Sequence, residues 1–210
     1  MVLVSIIIGL GITYILIGIG SIIERLSGHG TRLRLSWAHG GWVAFLFVWM
    51  VSFWWWEYRL LVLLKTWTLG HYFFIVIYAV LLFLLAVILI PSDWGTTDSL
   101  DEYFLSKRHW FYPVYLMAAV ADVIDSLLKG GWPYLRTVGL LNLAFTAAAI
   151  PVCIVGVRSR SIRVHSFMAV VLFIWLVVLC FEVSPKLLGN LAYSALSARG
   201  HGHSRVSFRP

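Results

Sequence analysis

Six apolar segments, each about 20 residues long, are separated by short polar loops along this chain. A helix of about that length crosses the hydrocarbon core of a bilayer. The 210 residues are 61% hydrophobic and 12% charged, whereas soluble domains average roughly 45–50% apolar and about 25% charged residues. The sequence therefore predicts an all-α membrane protein, a bundle of six transmembrane helices with short loops. The predicted spans are Val2–Ile23, Gly41–Leu64, His71–Ile90, Trp110–Lys129, Tyr134–Val157 and Ser166–Val183.

The spans and their loops form one predicted domain over residues 1–184, because the remaining length is too short for a separate soluble domain. Residues 185–210 are predicted to be a short amphipathic segment followed by a basic, flexible tail. The first span lacks the basic start and the cleavage site of a secretory signal, so we expect it to be retained. Before the fourth span, Ser99 and the acids after it predict the capped start of a short surface helix.

The net charge of +7 does not indicate nucleic-acid binding, because the Lys and Arg residues lie in short clusters at the ends of spans. Basic residues at those positions match anionic lipid headgroups and set the orientation in the membrane. When the C-terminal tail is counted with the loops, the two sides carry equal numbers of Lys and Arg, so orientation depends on the first positively charged loop. That loop predicts that both termini lie outside the cytoplasm.

Two carboxylates lie inside the fourth apolar span. Asp122 and Asp125 are three residues apart, so on a helix they share one face, which also carries Tyr115, Ala118 and Lys129. An ionised side chain in hydrocarbon costs several kcal/mol, so this face is predicted to point into the protein. The alternation of spans places further charged residues on the same side of the membrane. The predicted intramembrane charge cluster is Asp122, Asp125, Glu57, Arg59, Arg136 and Glu182.

Two interpretations of this cluster remain open. In the first, Arg59, Arg136 and Lys129 neutralise the acids and join the helices in a structural ion-pair network. In the second, Asp122 and Asp125 bind protons or cations during coupled transport, as buried carboxylates in membranes can do.

Three histidines, His39, His109 and His165, lie at the starts of spans on the opposite side. Haem between membrane helices is held by two facing imidazoles within the bundle, and a metal site needs a supported set of ligands. Positions at span starts do not provide this, so we predict no cofactor, no haem and no stoichiometric metal. The sequence also contains no GxSxG, Walker or HExxH motif, which indicates a non-enzymatic protein.

Small and polar residues recur at helical spacing in two spans. Such residues let helix backbones approach closely, which drives helix association in lipid. Spans one, four and five are therefore predicted to be the inner helices, whereas the almost entirely apolar third span is predicted to face lipid on most sides. The predicted helix-packing residues are Gly9, Thr13, Gly20, Gly139, Asn142 and Thr146.

The first third of the chain also carries a resemblance. The run GLGITYILIGIGSIIERL at residues 9–26, followed by WAHGGW and then by FWWWEYRL, resembles the opening of a loose group of uncharacterised bacterial polytopic inner-membrane proteins. The resemblance implies a multi-pass protein of the bacterial inner (plasma) membrane and implies no activity.

The sequence thus predicts a non-enzymatic integral membrane subunit or scaffold. Its expected partners are the lipid bilayer and other membrane protein subunits, or copies of itself in a homo-oligomer, and no nucleic acid. Glycine-rich faces available for close contact and the lack of a catalytic motif support this hypothesis. The alternative is a small proton- or cation-coupled transporter or channel that uses Asp122 and Asp125. The third hypothesis is a haem- or metal-binding membrane subunit.

Overall fold

The computed structural model describes residues 2–27, 33–63, 68–95, 97–138 and 140–181, with residues 58–63, 130, 133–134, 136–138 and 140–142 described by their backbone alone. Within these ranges the chain forms six helices and no strand, which confirms the predicted all-α bundle. The predicted tail over residues 185–210 lies outside the described ranges. The helices are α1 Val2–Ser27, α2 Trp37–Leu63, α3 Leu69–Leu89, α4 Leu100–Val138, α5 Leu140–Arg158 and α6 Ile162–Phe181.

Five of these helices are long and apolar enough to cross a membrane, namely α1, α2, α3, α4 and α6. In α2 and α4 the apolar stretches cover Trp37–Glu57 and Leu100–Lys129, up to the last side chains described before a gap. Among the residues of α5 whose side chains are described, the apolar part covers Leu143–Arg158. The chain is therefore a multi-pass membrane protein.

Consecutive helices run in opposite directions, so alternate helix ends meet on one side of the bundle. There Arg25, near the end of α1, donates a hydrogen bond to the carbonyl of Thr97 just before α4 (2.7 Å). His39, at the start of α2, is hydrogen-bonded through Nε2 to the carbonyl of Leu89 at the end of α3 (2.7 Å). Arg108 of α4 donates to a backbone carbonyl at the end of α5 (3.2 Å). The ends of α1, α3 and α5 and the starts of α2 and α4 thus lie on one side of the bundle, as the alternation of spans predicted.

Helix α4 begins earlier than predicted. The hydroxyl of Ser99 accepts a hydrogen bond from the backbone N–H of Glu102 (3.4 Å), as expected for a helix cap, but no separate surface helix follows. The helix instead continues from Leu100 into the membrane span, about ten residues before the predicted start at Trp110. Its first turns are amphipathic, and Leu100 and Phe104 bury their side chains in the core, which favours one continuous helix.

The prediction of inner and outer helices was wrong for α1 and α3. In the apolar stretch of α1 only 28% of the residues are buried, whereas the share is 44% in α3 and 50% in α2. Apolarity alone does not separate the two locations, because lipid tails are as apolar as the side chains of a protein core. Helix α3 is therefore a central element although its sequence is almost entirely apolar.

Helix α1 contacts the bundle through glycines other than those predicted. A Cβ added at Gly11 would lie 2.3 Å from Cε of Met50, and one at Gly18 would lie 2.6 Å from Cγ2 of Ile90. Gly9 and Gly20, in contrast, have no atom within 4 Å of such a Cβ among the described residues. Two residues correspond to about 200° around a helix, so Gly9 and Gly11 face opposite sides. The predicted face of α1 therefore does not pack inside the described part of this chain.

Thr13 belongs to the same outward face as Gly9. Its hydroxyl donates to the carbonyl of Gly9 one turn earlier in α1 (2.8 Å), and its side chain is exposed. The hydroxyl thus has a hydrogen-bond partner within α1 and does not need one from another helix.

The contact between α4 and α5 includes Thr146, one of the predicted helix-packing residues. The hydroxyl of Thr146 lies 3.5 Å from the carbonyl of Ala119, and a Cβ added at Gly156 would lie 2.4 Å from the ring of Tyr112. Gly131, with a φ of 66°, provides the left-handed conformation that interrupts the helical run between these antiparallel segments. Helical residues extend to Val138, beyond the predicted turn. Gly139 and the side chain of Asn142 lie outside the description.

Candidate functional site

Three charged side chains meet in the interior between α2 and α4. Nζ of Lys129 donates to Oε1 of Glu57 (3.1 Å) and also contacts Oδ2 of Asp125. Asp125 and Lys129 are one turn apart on α4, which explains why both reach the same point. The exposed fractions are 1% for Glu57, 3% for Asp125 and 7% for Lys129. We call these three residues the Lys129 cluster.

Each carboxyl group of the Lys129 cluster keeps one oxygen without a donor. Oε2 of Glu57 and Oδ1 of Asp125 are buried and have no hydrogen-bond partner in the part of the chain that the structure describes. An ionised carboxylate is an acceptor at both oxygens, and a protonated one is also a donor. The cluster therefore has unused capacity to accept a hydrogen bond or to hold a proton.

Asp122, three residues before Asp125 on α4, takes part in a line of hydrogen bonds through three helices. The hydroxyl of Tyr78 on α3 donates to Oδ1 of Asp122 (3.0 Å), and Nε1 of Trp49 on α2 donates to that hydroxyl (3.2 Å). Trp49 and Tyr78 are fully buried, whereas Asp122 is half-buried. Polar groups thus continue from the bundle centre along the face of α4 that carries Asp125.

The predicted inward face of α4 is confirmed. Tyr115, Ala118, Asp125 and Lys129 are all buried, and Asp122 is partly buried on the same face. The structure brings Glu57 and Asp125 together through Lys129. The side chains of Arg59 and Arg136, and the whole of Glu182, lie outside the description, so their predicted membership of the cluster stays a prediction.

The three candidate histidines occupy different environments. His165 is buried, and its Nε2 lies 3.2 Å from the carbonyl of Ser159, which identifies Nε2 as the protonated nitrogen. Nδ1 then accepts a hydrogen bond from the hydroxyl of Tyr112 (2.6 Å). His39 is also buried and bonded to a backbone carbonyl, whereas His109 is exposed. His39 and His165 thus lie at the starts of α2 and α6, as predicted, and both are buried at helix contacts.

Among the described residues, no three or more His, Cys, Asp or Glu side chains form a group that could hold a metal ion. Both ring nitrogens of His165 already have protein partners. A metal could bind there only if these hydrogen bonds were broken.

The sequence analysis missed the aromatic partners of the charged residues. Tyr78 is the polar residue within the apolar run at residues 75–90, and a buried tyrosine hydroxyl usually has a hydrogen-bond partner. That hydroxyl was a usable signal that α3 faces the interior. Trp49 carried no comparable signal, because tryptophan is frequent in this chain.

Comparisons with protein-family models, with curated proteins and with solved structures find no match for this chain. The resemblance of the first third to bacterial inner-membrane proteins therefore stays a prediction. Conclusions about function depend on the geometry of the described residues.

Proposed function

We propose that this chain is a non-enzymatic subunit or scaffold of the bacterial inner membrane. It packs through the outward face of α1 against another membrane protein or a second copy of itself. The observation that supports the proposal is the division of α1 into two small-residue faces, of which only the one with Gly11 and Gly18 contacts the described bundle. The other face, with Gly9 and Gly20, has no described atom within 4 Å of an added Cβ, and we call it the open face.

The open face has the shape that a second helix needs. Ser5, Gly9 and Thr13 follow each other at intervals of four residues and are exposed. This spacing lets two helix backbones approach closely in lipid. Beside it, a groove of about 360 Å³ lies between α1 and α2, lined by Ser5 and Gly9 on one side and by Val51 and Trp54 on the other. A helix on this face would fill the groove with its side chains.

The test is the mass of the protein extracted from its native membrane into lipid nanodiscs. We expect a complex of more than one protein chain for the wild type, and loss of the partner in Gly9→Leu. Gly40→Leu is the matched control, because Gly40 also has no described atom within 4 Å and lies outside α1. A wild type that contains one chain and lipid only would contradict the proposal, as would an unchanged complex in Gly9→Leu.

The second candidate function is proton- or cation-coupled transport. The unpartnered oxygens of Glu57 and Asp125 favour it, because buried carboxyl groups in membranes serve as ion-binding groups. The test is ion flux into liposomes that contain the pure protein. Flux that disappears in Asp125→Asn, in a variant that remains folded, would support transport and contradict the scaffold function. The absence of flux in the wild type is the result that the scaffold function predicts.

A further inference from the structure

We propose that Glu57 and Asp125 share one exchangeable proton, so that the Lys129 cluster is a proton-binding site inside the bundle. The inference goes beyond the contact made by α1, because it concerns the opposite side of α2 and requires no partner protein.

The Lys129 cluster contains more acidic groups than basic ones. One ammonium group contacts two carboxyl groups, and all three side chains are at least nine-tenths buried. If both acids were ionised, one negative charge would remain without a counter-charge from Lys129, in a place with little water. Binding one proton removes that charge.

Among the side chains that the structure describes, the surrounding titratable groups add no positive charge to the cluster. Asp122 lies on the same face of α4, and Tyr78 of α3 donates to it, so neither brings a positive charge to the cluster. On α1 the acidic and basic residues lie near its other end, at Glu24 and Arg25. Arg59 and Arg136 are neighbouring cations along the chain, with side chains outside the description.

The carboxyl oxygens of the Lys129 cluster are also arranged in a way that favours binding of a proton. Lys129 uses one oxygen of each acid, which leaves Oε2 of Glu57 and Oδ1 of Asp125 buried without a described partner. A proton on either acid changes an unpartnered acceptor into a hydroxyl donor. Two carboxyl groups that contact one buried ammonium favour binding a shared proton, because each negative charge disfavours ionisation of the other group.

The position of the cluster favours exchange of the proton with one side of the membrane. Glu57 lies six residues before the end of α2 at Leu63, whereas His39 lies near its start, so the cluster is in the half of the bundle away from His39. Toward the bundle centre, the hydrogen-bonded line ends at Trp49, within an aromatic core. The proton therefore exchanges with one side of the membrane.

The test is infrared spectroscopy of the pure, folded protein at neutral pH. A protonated carboxyl group has a C=O stretch separate from that of a carboxylate, and the band shifts when the proton is exchanged for deuterium. We expect such a band in the wild type and its loss, to the extent of one carboxyl group, in both Asp125→Asn and Glu57→Gln. Each variant leaves one acid paired with Lys129. Glu102→Gln, an exposed acid of α4, is the matched control and should keep the band.

Two results would overturn the inference. One is the absence of a protonated carboxyl band in the wild type, a result that does not depend on whether any variant folds. The other is a band that survives in Asp125→Asn and Glu57→Gln but disappears in Asp122→Asn, because the proton would then belong to Asp122.

The pH dependence of stability gives a second readout. With the shared proton, the folded chain binds one proton more than the unfolded chain at neutral pH, so the free energy of unfolding falls as pH rises. The thermal midpoint of the wild type should therefore decrease from mildly acidic to alkaline pH more steeply than that of Glu57→Gln. Equal slopes in the two proteins would count against the inference.

Discussion

Lys129 contacts carboxyl groups on two helices, so single-residue changes at this point test the bundle most sharply. Within α4, the sequence predicted the relation between Asp125 and Lys129, because residues four apart meet on a helix. It could not predict that Glu57 completes the contact, since that depends on how α2 and α4 are rotated against each other.

The first prediction concerns Lys129→Met, which keeps the length of the side chain and removes its charge. Two buried acids lose their common cation, and removing one partner of a buried ion pair typically costs about 3–5 kcal/mol. We expect a clearly lower free energy of unfolding in detergent, with a smaller loss at mildly acidic pH, where protons can neutralise the acids. Adding Asp125→Asn should restore part of the stability. A Lys129→Met variant as stable as the wild type at alkaline pH would show that the ion pairs do not stabilise the fold.

Among helices, the sequence identified the spans but not which faces contact each other. The inward face of α4 was predictable because it carries charges, and a charge in lipid is costly. The role of α3 was not, because an apolar face looks the same whether it contacts lipid or protein. On α1, Gly9 and Gly11 offered two candidate contact faces, and only the positions of α2 and α3 decide between them.

The second prediction tests the contact between α4 and α5 with Gly156→Ala. The added methyl group would lie 2.4 Å from the ring of Tyr112, so the helices must separate or the hydrogen bond to His165 must break. Overpacking of this kind costs about 1–3 kcal/mol, and we expect the thermal midpoint to fall.

The matched control for Gly156→Ala is Gly20→Ala, at a glycine of a membrane helix with no described atom within 4 Å. This change should leave stability unchanged or raise it slightly, because Ala is favoured over Gly in a helix by up to about 1 kcal/mol. Equal losses in the two variants would contradict the packing described for α5.

For the whole molecule, an even number of crossings places both termini on one side of the membrane. The contacts of Arg25 and His39 on one side of the bundle agree with antiparallel helices but do not reveal which side faces the cytoplasm. The sequence does not reveal it either, since Lys and Arg are balanced between the two sides when the C-terminal tail is counted with the loops. The predicted orientation depends on the first basic loop alone.

The third prediction is that both termini face the periplasm. A reporter that is active only in the cytoplasm, fused after Pro210, should give no signal, and one fused in the loop between α1 and α2 should be active. A strong signal from the fusion after Pro210 would reverse the orientation or exclude an even number of crossings.

The central claim is that the outward face of α1 contacts another protein within the membrane. The most direct measurement is photo-cross-linking in intact membranes, with a photoreactive amino acid at position 9 and, as control, at position 84 on the exposed face of α3. We predict a cross-linked membrane protein or second copy from position 9, lost when Thr13 is changed to Leu, and lipid adducts alone from position 84. Lipid adducts alone from position 9, or the same protein adducts from both positions, would contradict the account.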